Sequence, residues 1–166
     1  MKKRTLLFVL VITLLVGSAL SWAVSARASS TVDTHSVKGA GTSLVEGGTG
    51  APSFHPVETT FAFHWSDGQG HFECLALTPS ASPGAAGSGN FDTNAMYVTG
   101  PITSVSVKDG TAILTGTATV TGLGAGSNVP FTATATVGGP GTTLVLEVSG
   151  LTFREIVLTG QITVEK

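Results

Sequence analysis

Hydrophobic and polar residues alternate along most of the chain beyond residue 35, in short runs separated by clusters of glycine, proline, serine and asparagine. Such alternation is typical of half-buried β-strands, and no apolar stripe with a helical period follows residue 28. The clearest run, PVETTFAFHW, places its apolar side chains on one face of a strand: Val57, Phe61, Phe63 and Trp65. About eight such runs predict an all-β antiparallel fold, either a two-sheet sandwich or a small barrel.

The other runs predict strands of different regularity. HSVKGAGTSLV is a first strand weakened by its glycines. AMYVTGPITSVSVKDG is either one long strand or two short ones, because Pro101 has no N–H to donate to a ladder. TTLVLEVSG and REIVLTGQITVEK complete the fold, and their alternation predicts these inward-facing side chains: Leu144, Leu146, Val148, Ile156, Leu158, Ile162 and Val164.

Two threonine-rich runs, AILTGTATVT and PFTATATV, flank the loop GLGAGSNV and predict a hairpin. Pairing Thr119 with Thr132 places threonines opposite each other on one face. The same register places Ala118 opposite Ala133 on the other face, so one pairing satisfies both faces of the ladder. We expect the threonine face to be the wet side of the sheet. An ice-binding or polysaccharide-binding plane is the alternative.

The segment FAFHWSDGQGHFECLAL, residues 61–77, contains two histidines, two carboxylates and the only cysteine of the chain. If Trp65 pairs with Gly70 across a four-residue loop, Cys74 points into the core opposite Phe61. The same register leaves polar side chains on the outer face and in the turn. These are the candidate ligand-binding residues: His64, Asp67, His71 and Glu73.

A zinc site is one interpretation of this hairpin. Two imidazoles and a carboxylate can hold zinc and leave one position open for water, and His64, His71 and Glu73 share a face. However, their spacing matches no established metal motif, and Cys74 points the other way, so no mixed cysteine–histidine site forms. We therefore expect no metal and no cofactor, and either a solvated strand face or a sheet face whose histidines are hydrogen-bonded under a loop.

The N-terminus has the three parts of a secretory signal peptide. Lys2, Lys3 and Arg4 form a positive region, an uncharged apolar run follows, and ARA at 26–28 fits the pattern of a cleavage site. An uncleaved membrane anchor is the alternative, but the apolar run is short for a span. We therefore expect three parts: a signal peptide at 1–28, an N-terminal segment with the first strand at 29–56, and an antiparallel β domain at 57–166.

The predicted mature chain is acidic. Beyond residue 28, four basic residues stand against ten acidic ones, a formal charge of −6. Scattered cations in an acidic chain give no electrostatic footprint for nucleic acid or for anionic lipid, so we expect neither as a partner. Because Cys74 is the only cysteine, no internal disulfide can form, and its simplest role is that of a small buried apolar residue.

Three segments with short motifs follow one another between residues 58 and 166: GQGHFECLAL, ITSVSVKDGTAILTGTATVTG and LTGQITVEK. They resemble, in order, the G-x-G-H strand, the V-T-S-V-x-V and T-A-x-x-x-G strands, and the final G-x-I-x-V strand of post-COAP-type domains, a family of small secreted bacterial β domains. The resemblance implies an all-β extracellular domain and brings no catalytic residues. That family often has cysteines in the strand corresponding to the one with Thr117 and near the next turn. This chain has none there, so no shared disulfide is expected.

No sequence motif carries a specific chemistry. The chain has no G-x-S-x-G nucleophile elbow and no carboxylate pair typical of glycosidases, and no helix follows its glycine-rich segments to bind phosphate. We expect a secreted, non-enzymatic β domain that acts as an extracellular accessory or binding module for an unknown partner or small ligand. The alternative is a small barrel that encloses an apolar ligand, as a carrier or a cyclase-like enzyme. A closed barrel with a cavity favours the alternative, and two sheets with a filled core favour the module.

Overall fold

The computed structural model describes residues 36–49, 57–79 and 91–165, so the predicted signal peptide lies outside the described residues. The described part is a closed antiparallel barrel in which each strand pairs with the next and the eighth pairs with the first. This confirms the all-β prediction and selects the barrel. The strands are β1 (Ser36–Gly47), β2 (Glu58–Ser66), β3 (Gln69–Pro79), β4 (Phe91–Lys108), β5 (Thr111–Gly122), β6 (Gly126–Thr136), β7 (Thr143–Val148) and β8 (Leu151–Glu165). In this part of the chain no helix is long and apolar enough to cross a membrane.

The barrel interior is filled by alternate side chains of every strand, as expected for a barrel of this strand number. Four phenylalanines form a stack through its centre, with ring centroids 6.1 Å apart for Phe61 and Phe63, 6.2 Å for Phe63 and Phe72, and 5.0 Å for Phe72 and Phe131. Offset stacking of this kind stabilises a core beyond the area that the rings bury. The interior is therefore a packed core, with one aromatic region in it.

Glycine in β1 makes room for this aromatic region. A Cβ atom built at Gly39 would lie 2.5 Å from Cζ of Phe63, which is closer than real atoms approach. Glycine has a low strand propensity, but Gly39 is needed in β1 because the Phe63 ring lies directly against its backbone. β1 pairs with both β2 and β8, so it is an integral strand of the barrel although it precedes residue 57.

The β2–β3 hairpin has the predicted register. Trp65 pairs with Gly70, and Phe61 pairs with Cys74, which is buried. The ladder continues one pair beyond the prediction, so the turn consists of two residues rather than four. Asp67 and Gly68 form it with φ of 54° and 78°, the left-handed values of a type I′ turn.

The threonine hairpin has a different register from the predicted one. Thr132 pairs with Thr115 instead of Thr119, a slip of four residues. An alternating Thr-Ala sequence keeps both faces correct under any even slip, so the alternation alone does not select the register. The turn after β5 and a bulge between Ala118 and Val120 set it. The face assignment is nevertheless correct, since Ala118 is buried and Thr117 is exposed.

The inward face of β8 differs from the prediction in its first half. Phe153, Glu155 and Val157 point inwards there, whereas Leu158, expected inside, is 46% exposed, and Ile156 is only partly buried on the outward face. A bulge explains the difference: Thr42 pairs with Thr159 but Ser43 pairs with Val157, so Leu158 has no partner on β1. The bulge reverses the phase, and the predicted inward positions beyond it agree with the structure. Ile162 is buried, and Val164 is packed against the core.

β4 is one continuous strand, which decides between the two predicted alternatives. Pro101 pairs with His71 on β3, while the ladder with β5 is irregular between Ile102 and Ser104. Proline is tolerated at position 101 because the adjacent bulge interrupts the ladder with β5, so no backbone N–H is needed there.

The connections divide between the two ends of the barrel. The strands β1, β3, β5 and β7 end, and β2, β4, β6 and β8 begin, at one end of the barrel. We call it the long-connection end, because the two pairs of consecutive strands with the most residues between them, β1–β2 and β3–β4, meet there. The tight turns after β2 and β4 lie at the opposite end, which we call the short-turn end. The two ends differ in the chemistry of the barrel interior.

Candidate functional site

A groove of about 700 Å³ lies on the outer wall of the barrel, across β8, β1, β2 and β3. Its floor consists of small residues, Ala40 and Ala62, which leave a depression between longer neighbours. We call this feature the outer groove. It is lined by three of the four residues that the sequence singled out: His64, His71 and Glu73. The fourth, Asp67, is in the β2–β3 turn and does not line the groove.

Two neighbours on β4 hold the groove residues in place. A hydrogen bond of 2.9 Å joins His71 Nε2 and Thr99 Oγ1, and Tyr97 Oη donates to Glu73 Oε2 at 3.1 Å. His64 lies directly opposite His71 in the β2–β3 ladder. The hairpin therefore presents two imidazoles and a carboxylate on one outer face.

One cation from β1 and two polar side chains from β8 complete the rim of the outer groove. Lys38 Nζ donates to Glu165 Oε1 at 2.5 Å, in an ion pair that is open to solvent on both sides. Gln161 and Thr163 line the opposite wall. The groove therefore combines an apolar floor with hydrogen-bonding groups at its edges.

Asp67 is separate from this arrangement. Ser66 Oγ donates to Asp67 Oδ2 at 3.0 Å, so its carboxylate is engaged within the turn. No group of three or more histidine, cysteine, aspartate or glutamate side chains within the described ranges is placed to hold a metal ion. What the hairpin brings together is thus the pair of histidines and Glu73 along a groove.

A second group of polar side chains is buried inside the barrel, on three adjacent strands. Glu155 of β8 is 1% exposed, and its Oε2 accepts hydrogen bonds from Ser43 Oγ of β1 at 2.5 Å and from Thr59 Oγ1 of β2 at 2.6 Å. Ser43 and Thr59 also contact each other through their hydroxyls. We call these three residues the Glu155 cluster.

The Glu155 cluster is arranged for a neutral acid. Oε2 accepts from both hydroxyls, so a proton on the Glu155 carboxyl belongs on Oε1, which neither Ser43 nor Thr59 engages. Burial raises the pKa of the Glu155 carboxyl, by more than the hydrogen bonds from Ser43 and Thr59 lower it. The adjacent cation, Arg154, is on the outside, where its Nε donates to Glu46 Oε1 at 3.1 Å. Glu155 is therefore protonated over a wider pH range than an exposed glutamate.

Cys74 lies beside the Glu155 cluster. Burial raises the pKa of its thiol well above the usual value, the Glu155 carboxylate raises it further when it is ionised, and a hydrogen bond with Thr59 lowers it. A thiol with a raised pKa is a poor nucleophile at neutral pH, because the thiolate is the reactive form. Cys74 thus contributes an apolar wall, as the sequence predicted.

A small, partly enclosed cavity of about 10 Å³ adjoins the Glu155 cluster, with Glu155 and Thr59 among its lining residues. A cavity of this size holds about one water molecule. Its remaining wall is apolar and includes Cys74, Met96 and Phe153. These residues lie in the half of the barrel nearer the long-connection end, whereas Trp65 lies towards the short-turn end.

The sequence contains signals for the Glu155 cluster that the alternation masked. Thr59 is the one polar residue on the inward face of PVETTFAFHW, between Val57 and Phe61. On the inward face of β8, Glu155 lies between Phe153 and Val157, but alternation without the bulge assigns it to the outer face. A polar residue within an otherwise apolar inward face was the observation that could have found the cluster.

Comparison with known proteins adds no relative from which residue roles could be transferred. No family model matches the chain, and no curated protein or solved structure matches it. The resemblance to post-COAP-type domains therefore stays a prediction. Function must be inferred from the outer groove and the Glu155 cluster themselves.

Proposed function

We propose that this chain is an exported, non-enzymatic binding module that contacts a partner or small ligand at the outer groove. The observation that carries the proposal is the contrast in free volume. The outer groove offers about 700 Å³, whereas the cavity at Glu155 offers about 10 Å³. A filled core and an open outer groove favour recognition on the wall of the barrel.

The lining of the outer groove defines the kind of ligand that fits. Ala40 and Ala62 give an apolar floor, while His64, His71 and Glu73 offer donors and an acceptor along one edge. Ligand sites combine these features: apolar contact supplies affinity, and a few polar groups fix orientation. The outer groove therefore suits a small molecule, or a short chain segment, with an apolar face and polar edges.

Export is part of the proposal and has its own support in the sequence. The first 28 residues have the pattern of a signal peptide, and a chain with one buried cysteine needs no reducing compartment. N-terminal sequencing of the protein from the culture medium tests this, with a start near Ser29 expected. Full-length protein that is recovered from the membrane with Met1 retained would contradict it.

The outer groove is tested by mass spectrometry of molecules that co-purify from the medium of the native host. Ala62→Arg fills the floor of the groove, and Thr117→Arg places the same charge on an exposed site elsewhere on the barrel. We expect a species that co-purifies with the wild type and with Thr117→Arg but not with Ala62→Arg. A species that Ala62→Arg retains would show that the groove is not the binding site.

The Glu155 cluster favours a second candidate function, that of an apolar-ligand carrier or a cyclase-like enzyme. The sheet closes into a barrel, which is one requirement of an apolar-ligand carrier or a cyclase-like enzyme. The described interior does not contain a preformed chamber of ligand size, which is the other requirement. A buried carboxyl in a filled core nevertheless needs an explanation, which the outer groove does not provide.

A further inference from the structure

The Glu155 cluster contributes little to stability compared with an apolar core at the same place. Replacing a buried group of hydrogen-bonded polar side chains by apolar ones of similar shape is often neutral or stabilising. Glu155, Ser43 and Thr59 therefore reduce the stability that the barrel could have, in a core otherwise built of aliphatic and aromatic residues. Departures of this kind from a consistent core are typical of functional sites.

We propose that the Glu155 end of the barrel interior is a binding site for a small, uncharged, apolar molecule that carries one hydrogen-bond acceptor. Glu155 is the donor, and Ser43 and Thr59 orient its carboxyl. The ligand occupies the cavity beside Glu155 together with the space that Met96 now fills. This site is separate from the outer groove and goes beyond the function proposed for it.

The walls of the cavity select the apolar body of the ligand. Apart from Glu155 and Thr59, the cavity is lined by apolar side chains and the thiol of Cys74, and no lysine, arginine or histidine lines it. An anion transferred into such surroundings loses its hydration without gaining a cationic partner, so anions are excluded. A ketone, an ether or an ester of a few carbons satisfies both requirements.

Met96 is the side chain that yields to the ligand. It is 3% exposed and lines the cavity, and methionine is unbranched, with three rotatable bonds that let it adopt several shapes in a core. The other large wall residues, Leu146 and Phe153, have stiffer side chains. The existing cavity holds about one water, so a ligand of several carbons enters only as Met96 moves.

The acceptor on the ligand pairs with a donor that burial keeps in place. A protonated carboxyl donates one strong hydrogen bond, and the surroundings of low polarity strengthen it. Ser43 and Thr59 hold Oε2, which fixes the plane of the carboxyl group. A ligand without an acceptor gains only apolar contact and binds more weakly.

Two natural reporters make the proposal measurable in the full chain. The sequence has two methionines, Met1 and Met96, and a single cysteine, Cys74. Both Met96 and Cys74 line the cavity. A ¹³C-methyl methionine label therefore gives at most two signals, and Met96→Leu identifies the one from Met96. The rate at which a thiol reagent modifies Cys74 gives a second, independent measure of occupancy.

The probes are cyclohexanone and methylcyclohexane, which have similar size and differ in the acceptor. At pH 5 we expect cyclohexanone to shift the Met96 signal at a concentration at least tenfold lower than methylcyclohexane, and to slow modification of Cys74. The preference should fade as pH rises through the raised folded-state pKa of Glu155, because the ionised carboxylate has no proton to donate. Glu155→Gln keeps a donor and loses the ionisation, so its preference should persist at all pH values, and Glu155→Leu should show none.

Other outcomes would overturn the proposal. They include a Met96 signal that neither probe shifts, equal affinities for the two probes in the wild type, and a preference that survives in Glu155→Leu. If Glu155→Leu does not fold, the pH dependence decides, because it must be present in the wild type and absent in Glu155→Gln. Ala62→Arg should leave all of these results unchanged, which separates this site from the outer groove.

Discussion

The Glu155 cluster makes a quantitative prediction about non-additive stability. Ser43→Ala and Thr59→Val each remove one hydroxyl from the buried carboxyl of Glu155 and leave the rest of the cluster in place. A buried polar group that loses its partner costs about 1–3 kcal/mol in the free energy of unfolding. We therefore expect each single variant to be less stable than the wild type by about that amount.

The triple variant Ser43→Ala/Thr59→Val/Glu155→Leu removes every polar group of the cluster together. Thr to Val keeps the shape of the side chain, and Glu to Leu nearly does, so little new cavity forms. Replacement of a whole buried polar group by apolar residues is neutral or stabilising by up to about 4 kcal/mol. The free energy of unfolding of the triple variant should therefore be within about 1 kcal/mol of the wild-type value or higher than it. The losses of the two single variants, added together, would predict a loss of several kcal/mol in the free energy of unfolding.

Urea unfolding followed by circular dichroism measures these differences, with equal m values as the check that the transitions are comparable. For a domain of this size, 1 kcal/mol corresponds to about 4 °C in Tm, so thermal unfolding resolves them as well. A triple variant whose loss equals the sum of the single losses would refute the reasoning. The cluster would then be a stabilising network, and the physical argument for a ligand at Glu155 would fail.

Three further predictions concern pH, the threonine hairpin and metal. Since the folded-state pKa of Glu155 is raised, its contribution to stability is complete below the unfolded-state pKa and is lost as pH rises through the folded-state pKa. Between these two pKa values, the free energy of unfolding of the wild type minus that of Glu155→Gln should fall by at most about 1.4 kcal/mol per pH unit. Parallel pH profiles of the two proteins would contradict this. Ala118→Asp should destabilise by more than about 3 kcal/mol in urea unfolding because it buries an unpaired charge, whereas the exposed Thr117→Asp should change stability by less than about 1 kcal/mol; equal losses would mean that the faces of β5 are misassigned. Micromolar zinc and EDTA should each change Tm by no more than about a degree, and a rise of several degrees with zinc that His64→Ala abolishes would make the β2–β3 hairpin a metal site.

The β2–β3 hairpin could be predicted in register because its sequence contains no repeat. The short loop between Trp65 and Gly70 leaves few pairings open, and Asp67 and Gly68 supply the left-handed turn. In β5 and β6 the sequence repeats every two residues, so several pairings have the same faces. Thr115 and Thr119 were therefore equivalent partners for Thr132 as far as the alternation could decide.

The polar site inside the barrel could not be predicted in the same way. Its three members are on β1, β2 and β8, and the β1–β8 pairing exists only once the sheet closes. Closure cannot be read from alternation, which is the same in a sandwich and in a barrel. The bulge at Leu158 also places Glu155 on the face opposite to the predicted one, because an extra residue in a strand reverses the face of every residue before it. The groove residues His64 and His71 needed only a local hairpin, and so the sequence placed them.

The pairing of β1 with β8 also has a kinetic consequence. The ion pair between Lys38 and Glu165 joins residues that lie 127 positions apart, and the strands around it close the sheet. Contacts between such distant parts of a chain form slowly, because the loop between them must close before the contacts contribute. Because β8 is the last strand along the chain and pairs with the first, the barrel cannot close until nearly the whole chain is available. Closure is therefore a late step, whichever hairpins form before it.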